Sequence, residues 1–119
     1  MIWNRDAETM TPEARQALEL ERVRAAVGWA GSRVPFYREL LAKAGLTPGG
    51  LRGLEDLGAL NFTRKDDLRE HYPWGLFAVP RALVARVHAS SGTKGKPTVV
   101  GYTLRDLAVW REVMARSLA

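Results

Sequence analysis

Val87-His88-Ala89-Ser90-Ser91-Gly92-Thr93-Lys94-Gly95-Lys96-Pro97-Thr98-Val99-Val100-Gly101-Tyr102 is the stretch whose reading decides the fold. On its upstream side Leu83, Ala85, Val87 and Ala89 alternate with Val84, Arg86 and His88, a period of two that predicts a strand. Thr98 to Tyr102 predicts a second strand after an eight-residue connection. Hairpin loops usually take about two to five residues, so this one is long for a simple reversal. Two glycines, three hydroxyls and two ammonium groups fill it. Glycine admits dihedrals that other residues avoid, and a run of amide and hydroxyl donors suits a highly charged anion such as a polyphosphate. Lys96 adds a point charge that binds phosphate without demanding a planar partner. By composition alone such a stretch is more often an ordinary turn; its length argues for a ligand.

Working outward, Thr103 and Asp106 form a capping arrangement that opens a last helix carrying Leu107, Trp110, Met114 and Leu118, which read as a buried stripe. Upstream, Thr11-Pro12-Glu13 is a helix start. Leu20, Val23, Val27 and Ala30 recur at helical spacing, predicting a helix over 12–32 whose end Gly28 and Gly31 weaken. Pro35 to Ala44 gives a second helix closed by Gly45, with Leu40 and Leu41 inward and Arg38, Glu39 and Lys43 wet. Thr47-Pro48-Gly49-Gly50 is a turn. Thr63, three residues before Asp66, caps a short third helix through about His71, and Pro73 ends it. The expected organisation is an α+β chain. Residues 1–82 make a helical region, and 83–119 a β-hairpin with a phosphate loop and a final helix, together one compact unit.

The 119 residues bound this to one small domain, with 46% hydrophobic and 26% charged residues as in an ordinary globular protein. With no cysteine, a disulfide scaffold, a thiolate nucleophile and a Cys-based zinc site are excluded. The longest run without a charged residue or histidine, Tyr72 to Pro80, is nine residues, too short to span a bilayer. The first residues lack the apolar run of a secretory signal, and a cytoplasmic location is the default expectation. Net charge is +5, with 11 Lys+Arg against 11 Asp+Glu in Met1–Pro80 and 7 against 2 in Arg81–Ala119. The excess belongs to the last third, where a phosphate-bearing ligand is drawn.

Competing motifs fail in specific ways. A Walker A loop needs Gly five residues before Gly95 and Ser or Thr after Lys96, where the chain has Ser90 and Pro97. Gly92-Thr93-Lys94-Gly95 satisfies the GXXG of KH domains, but that loop joins two helices, which leaves nucleic-acid binding by a small basic domain as a disfavoured alternative. A Ser/His/Asp triad around His88 lacks a G-x-S-x-G elbow and a matched acid. His71 ends a helix, where a cation suits the dipole, and Asp66 with Asp67 read as a cap and a solvated charge. Trp74, Leu76 and Phe77 are expected to pack a turn onto the core.

The segments Val87-His88-Ala89-Ser90-Ser91-Gly92-Thr93 and Gly95-Lys96-Pro97-Thr98-Val99-Val100-Gly101-Tyr102-Thr103 together resemble the signature of phenylacetate-CoA ligases, members of the adenylate-forming enzymes. Arg33-Val34-Pro35-Phe36-Tyr37, Phe62-Thr63 with Lys65-Asp66-Asp67-Leu68-Arg69, the Tyr72-to-Pro80 run and Val113-Met114-Ala115-Arg116-Ser117-Leu118-Ala119 resemble the same family in the same order. Lys94 departs from the family loop, which usually has a second Thr there, exchanging a compact hydroxyl for a long cation.

The resemblance implies an N-terminal fragment of the adenylate-forming α/β fold, the start of its large adenylation domain. It implies a ligase in which the carboxylate of phenylacetate or a related aryl acid attacks ATP, and coenzyme A then takes the acyl group. The phosphate contacts it implies are Ser90, Ser91, Gly92, Thr93, Gly95 and Lys96, with Lys94 a weaker member. ATP, Mg²⁺ and coenzyme A are the implied cofactors. The Mg²⁺ carboxylate, acyl pocket and nucleotide-base motifs of the family fall beyond Ala119, so no catalytic or metal-ligating residue is assigned in this segment and the chain alone is expected to be inactive. A noncatalytic interaction module that docks on another chain, or a homo-oligomer through exposed strand edges, is the alternative.

Overall fold

A computed structural model of the chain describes residues 2–92 and 95–119. The elements run α1 (Arg5–Glu8), α2 (Pro12–Arg33), α3 (Pro35–Lys43), short 3₁₀ turns at Pro48–Gly50 and Leu54–Ala59, α4 (Lys65–Glu70), a 3₁₀ turn at Arg81–Leu83, β1 (Arg86–Ala89), β2 (Val99–Tyr102) and α5 (Leu104–Leu118).

Helix α2 begins where its sequence signal lies: the Thr11 hydroxyl accepts from the Ala14 amide at 3.2 Å, ahead of Pro12 in the first turn. Leu20, Val23, Val27 and Ala30 form its half-buried face. Gly28 and Gly31, expected to weaken the helix end, instead sit at contacts. A Cβ at Gly31 would lie 2.8 Å from Leu41 Cδ1, and one at Gly28 3.3 Å from Pro48 Cγ. The missing side chains let α3 and the following turn approach α2, at a cost of about 1 kcal/mol of helix propensity per glycine.

The core is small: Val34, Leu41 and Leu51 are buried. Arg24 joins the turn after α3 to α2 by donating from Nε to the Leu51 carbonyl at 2.7 Å, with Nη2 directed at the same oxygen. One guanidinium edge thereby satisfies a buried carbonyl.

Helix α4 is capped one residue later than the Thr63–Asp66 spacing predicts. Arg64 is the N-cap residue, and its amide donates to Asp67 Oδ2 at 2.6 Å. Asp66 points outward and pairs with Arg69 Nη1 at 2.9 Å. The cap is therefore the Asp67 carboxylate on the Arg64 amide, with no bond from an N-cap side chain.

Strands β1 and β2 pair antiparallel in the register Arg86↔Tyr102, Val87↔Gly101, His88↔Val100 and Ala89↔Val99. The predicted first strand is shorter than expected, because residues 81–83 wind into a 3₁₀ turn. One face of the hairpin carries His88 and Tyr102, against which Trp110 of α5 packs; the Tyr102 and Trp110 rings stack at 5.4 Å. On the other face a Cβ at Gly101 would lie 2.5 Å from Phe77 Cε2, so the Phe77 ring rests directly on the backbone. The half-buried Trp74 ring, 5.1 Å from Phe77 and edge-on to it, completes the packing expected for this segment.

Helix α5 opens with the predicted capping box: the Thr103 hydroxyl accepts from the Asp106 amide at 3.2 Å, and Asp106 Oδ2 accepts from the Thr103 amide at 2.8 Å. Its apolar stripe, read as buried, is not. Trp110, Met114 and Leu118 retain 40%, 46% and 81% of their accessible surface. The reason is geometric: α5 rests on a two-stranded sheet, which covers only part of one helix face.

At the other end of the chain, Trp3 Nε1 and Asn4 Nδ2 donate to the two oxygens of Glu112 at 3.0 and 2.9 Å. This clasp ties the N-terminal segment to α5 across more than a hundred residues of sequence. No helix among the described residues is long and apolar enough to cross a membrane.

Candidate functional site

The loop between the strands is fastened at its neck. Ser90 N donates to the Thr98 carbonyl at 3.0 Å, extending the ladder one step past β1. Thr98 N and the Thr98 hydroxyl both donate to Ser90 Oγ, each at 3.0 Å. Ser90 Oγ thus accepts twice, and its own proton remains available to donate outward.

Within the loop the Gly95 amide donates to the Gly92 carbonyl at 3.0 Å. Gly92 and Gly95 have φ of +60° and +127°, the region glycine enters without a Cβ penalty. A Cβ at Gly92 would also meet the Gly95 carbonyl at 2.9 Å. Ser90, Ser91, Gly95 and Lys96 are exposed, with Gly92, Pro97 and Thr98 half-buried beneath them. Thr93 and Lys94, also expected to contact phosphate, lie outside the described residues.

The loop therefore forms an open, glycine-bent rim with the Ser91 hydroxyl and the Lys96 ammonium facing solvent. Such an arrangement supplies donors and positive charge without burying an ion unpaired, which is suited to a polyanion entering from solvent. Among the described residues no group of three or more His, Asp or Glu gathers as a metal cluster.

The other sequence candidates have structural employment. The His88 ring is in edge contact with Tyr102 at 5.0 Å and Trp110 at 5.7 Å. At the end of α4, His71 Nδ1 donates to the Asp67 carbonyl at 2.8 Å, and its ring packs 5.0 Å from Phe36. That bond satisfies a C-terminal helix carbonyl, as its position in the sequence suggested.

Sequence reasoning missed two features. The Trp3–Asn4–Glu112 clasp joins the chain's ends through residues with no local pattern. These two donors hold the Glu112 carboxyl below its ordinary value, Asn4 first and Trp3 second. Asp56 is likewise held low by the Arg52 and Gly53 amides. Its signal was present as an acidic residue in the first turn of the Leu54–Ala59 segment, but no apolar periodicity marked that segment as an element.

The sequence is 60% identical over all 119 residues to a phenylacetate-coenzyme A ligase of Thermus thermophilus, covering 27% of that protein. Ligases of the same name from Pseudomonas putida and Escherichia coli are 50% and 47% identical over 111 residues, with 25% of each covered. The chain is thus similar, over nearly all of its own length, to about a quarter of these proteins named phenylacetate-coenzyme A ligase. It spans about a quarter of the length of the curated relatives it matches. No protein-family model matches it. Among solved structures, a 2-hydroxyisobutyryl-CoA ligase in complex with 2-HIB-AMP and CoA superimposes with a TM-score of 0.86 at 34% identity, over 97% of this chain and 25% of that one. The helical region, hairpin and final helix of this chain therefore share the fold of the matching part of that adenylate-forming CoA ligase, as expected from the sequence.

Proposed function

We propose that this segment supplies the polyphosphate-gripping hairpin of an AMP-forming ligase that joins phenylacetate, or a related aryl acid, to coenzyme A. The observation that carries the reading is the open loop, bent at Gly92 and Gly95 and fastened by Ser90 and Thr98, with the Ser91 hydroxyl and Lys96 turned to solvent. The names of the relatives and the acyl-adenylate in the neighbouring structure supply the substrate class.

In this reaction a carboxylate oxygen attacks the α-phosphorus of ATP, the bond to the bridging oxygen breaks, and pyrophosphate leaves with the electron pair. The coenzyme A thiol then attacks the acyl carbon, loses its proton and displaces AMP. The substrate is its own nucleophile, so the enzyme contributes positioning and charge neutralisation rather than a covalent intermediate. The loop's share is at the departing phosphates. The Gly92 amide and the Ser90 and Ser91 hydroxyls orient the β- and γ-phosphate oxygens, and Lys96 offsets the charge that builds as the bridge breaks. Thr93 and Lys94 extend the same donor set. The acyl pocket, the adenine contacts and the groups that hold Mg²⁺ belong to the remainder of the ligase fold.

The test is an NMR titration of the 119-residue chain with ATP and with pyrophosphate. Amide shifts are expected at Ser91, Gly92, Gly95 and Lys96. Lys96→Ala should weaken binding roughly ten- to hundredfold, since a hydrogen bond to a charged group contributes ~1.5–3 kcal/mol. No shift in the wild-type loop at millimolar ATP would refute the reading.

A further inference from the structure

Helix α5 buries no residue, so no core sets its orientation. It is held from two sides. On one, the Trp110 ring stacks on Tyr102 at 5.4 Å and meets His88 edge-on at 5.7 Å. Glu112, two positions further and about 200° around the helix, lies on the opposite side and is half-buried. There Trp3 Nε1 donates to Glu112 Oε2 at 3.0 Å and Asn4 Nδ2 to Oε1 at 2.9 Å, one donor for each oxygen. Both donors are themselves fixed. Glu8 Oε1 accepts from the Trp3 and Asn4 amides at 3.1 and 2.7 Å, and Asn4 Oδ1 accepts from the Ala7 amide at 3.1 Å. A carboxylate that accepts from two fixed donors is bound with charge-assisted strength and in one orientation.

The hairpin depends on that hold. Its ladder has four residue pairs in a two-stranded sheet, and such a hairpin is marginal without a packed partner. Helix α5 is the partner, stacked on Tyr102 at the end of the ladder away from the loop.

We infer that Trp3, Asn4 and Glu112 are positioning residues for the anion-binding loop: their clasp fixes α5, α5 fixes the hairpin through Trp110 and Tyr102, and the hairpin then presents Ser91, Gly92 and Lys96 in one arrangement. The inference rests on the proposed phosphate-binding reading for its consequence, and on the fold alone for its geometry. Without the clasp α5 samples other orientations, the competent hairpin becomes a fraction of the population, and the apparent affinity falls by that fraction. The charge effect runs the other way. Neutralising Glu112 makes a basic segment more basic and, by charge alone, would tighten the binding of an anion. The sign of the change separates the two.

The experiment compares wild type, Glu112→Gln, Trp3→Phe and the double variant in the 119-residue chain. Trp3→Phe removes a donor while keeping a ring and the net charge. Thr11→Ala, which loses the α2 cap, is the control for stability alone. In the ligand-free chain both clasp variants should shift the amides of Ser91, Gly92, Gly95 and Lys96, and Thr11→Ala should leave them in place. Pyrophosphate titration should give binding about three- to tenfold weaker in each single variant and unchanged in Thr11→Ala. The double variant should be no weaker than either single one, because each breaks the same clasp.

Loop amides at their wild-type positions in both clasp variants overturn the inference, as do equal loop shifts in Thr11→Ala. Tighter binding by Glu112→Gln with Trp3→Phe at the wild-type value also overturns it, since charge alone gives that result. If the wild-type chain binds neither pyrophosphate nor ATP, the phosphate reading fails, and the ligand-free shifts still decide whether the clasp sets the loop.

Discussion

Gly101→Ala tests whether the hairpin is held to the helical part by direct contact of Phe77 with the strand backbone. The new Cβ would lie 2.5 and 2.6 Å from Phe77 Cε2 and Cζ, and 3.2 Å from Val84 Cγ1. The ring has little room to withdraw, because Trp74 stands edge-on to it at 5.1 Å and Arg81 covers Trp74 at 4.7 Å. Over-packing of this kind costs ~1–3 kcal/mol. Replacing glycine in a strand recovers ~0.5–1 kcal/mol of backbone entropy, so a net loss of about 1–2 kcal/mol is expected. With a urea m-value of about 1–3 kcal/mol/M, the unfolding midpoint should fall by roughly 1 M.

Phe77→Leu alone should also destabilise, by loss of packing. Combined with Gly101→Ala it should lose less than the sum of the two, because the smaller side chain vacates the space the methyl needs. Urea unfolding of the four proteins gives the coupling energy. A neutral Gly101→Ala, or strict additivity in the double variant, would show that the ring does not rest on the strand, and the account of how the loop is presented would fail with it.

Glu112 makes a pH-dependent clasp. Its folded pKa lies below the ordinary 4.5, so its contribution is present above that value and disappears as pH falls through the lower folded one. The Trp3 indole NMR signal should move toward its free position on acidification, and Glu112→Gln should remove the transition; a wild-type signal constant through the acid range contradicts the clasp. Thr103→Ala should cost about 1 kcal/mol by removing the α5 cap, seen as a Tm lower by roughly 3–6 °C, and an unchanged Tm argues against the capping box. Gly92→Ala forces a side chain into a backbone with φ of +60° and against the Gly95 carbonyl. That should cost about 1–2 kcal/mol and broaden or shift the loop amides; identical loop spectra would mean the bend does not depend on glycine.

The elements legible in the sequence were those with local causes. Thr11 with Pro12, and Thr103 with Asp106, mark helix starts because the capping atoms are a few residues from the amides they satisfy. The alternation around Arg86–Ala89 and the run to Tyr102 mark the strands, and the glycines mark the bend between them. At α4 the local spacing pointed to Thr63 and Asp66, one residue earlier than the Arg64–Asp67 cap that forms. The Leu54–Ala59 turn and α1 are too short to show a period.

By itself the sequence determined the order of helices and strands, the place of the loop and the donor groups it displays, because these depend on backbone preferences and neighbours within a turn. Only the tertiary structure decided which glycines are contact points, that Ser90 fastens the loop it was expected merely to line, that Glu112 holds Trp3, and that the stripe of α5 stays uncovered. Each of these depends on which surfaces meet in space, and a short repeat along the chain carries no information about the area a distant segment will cover.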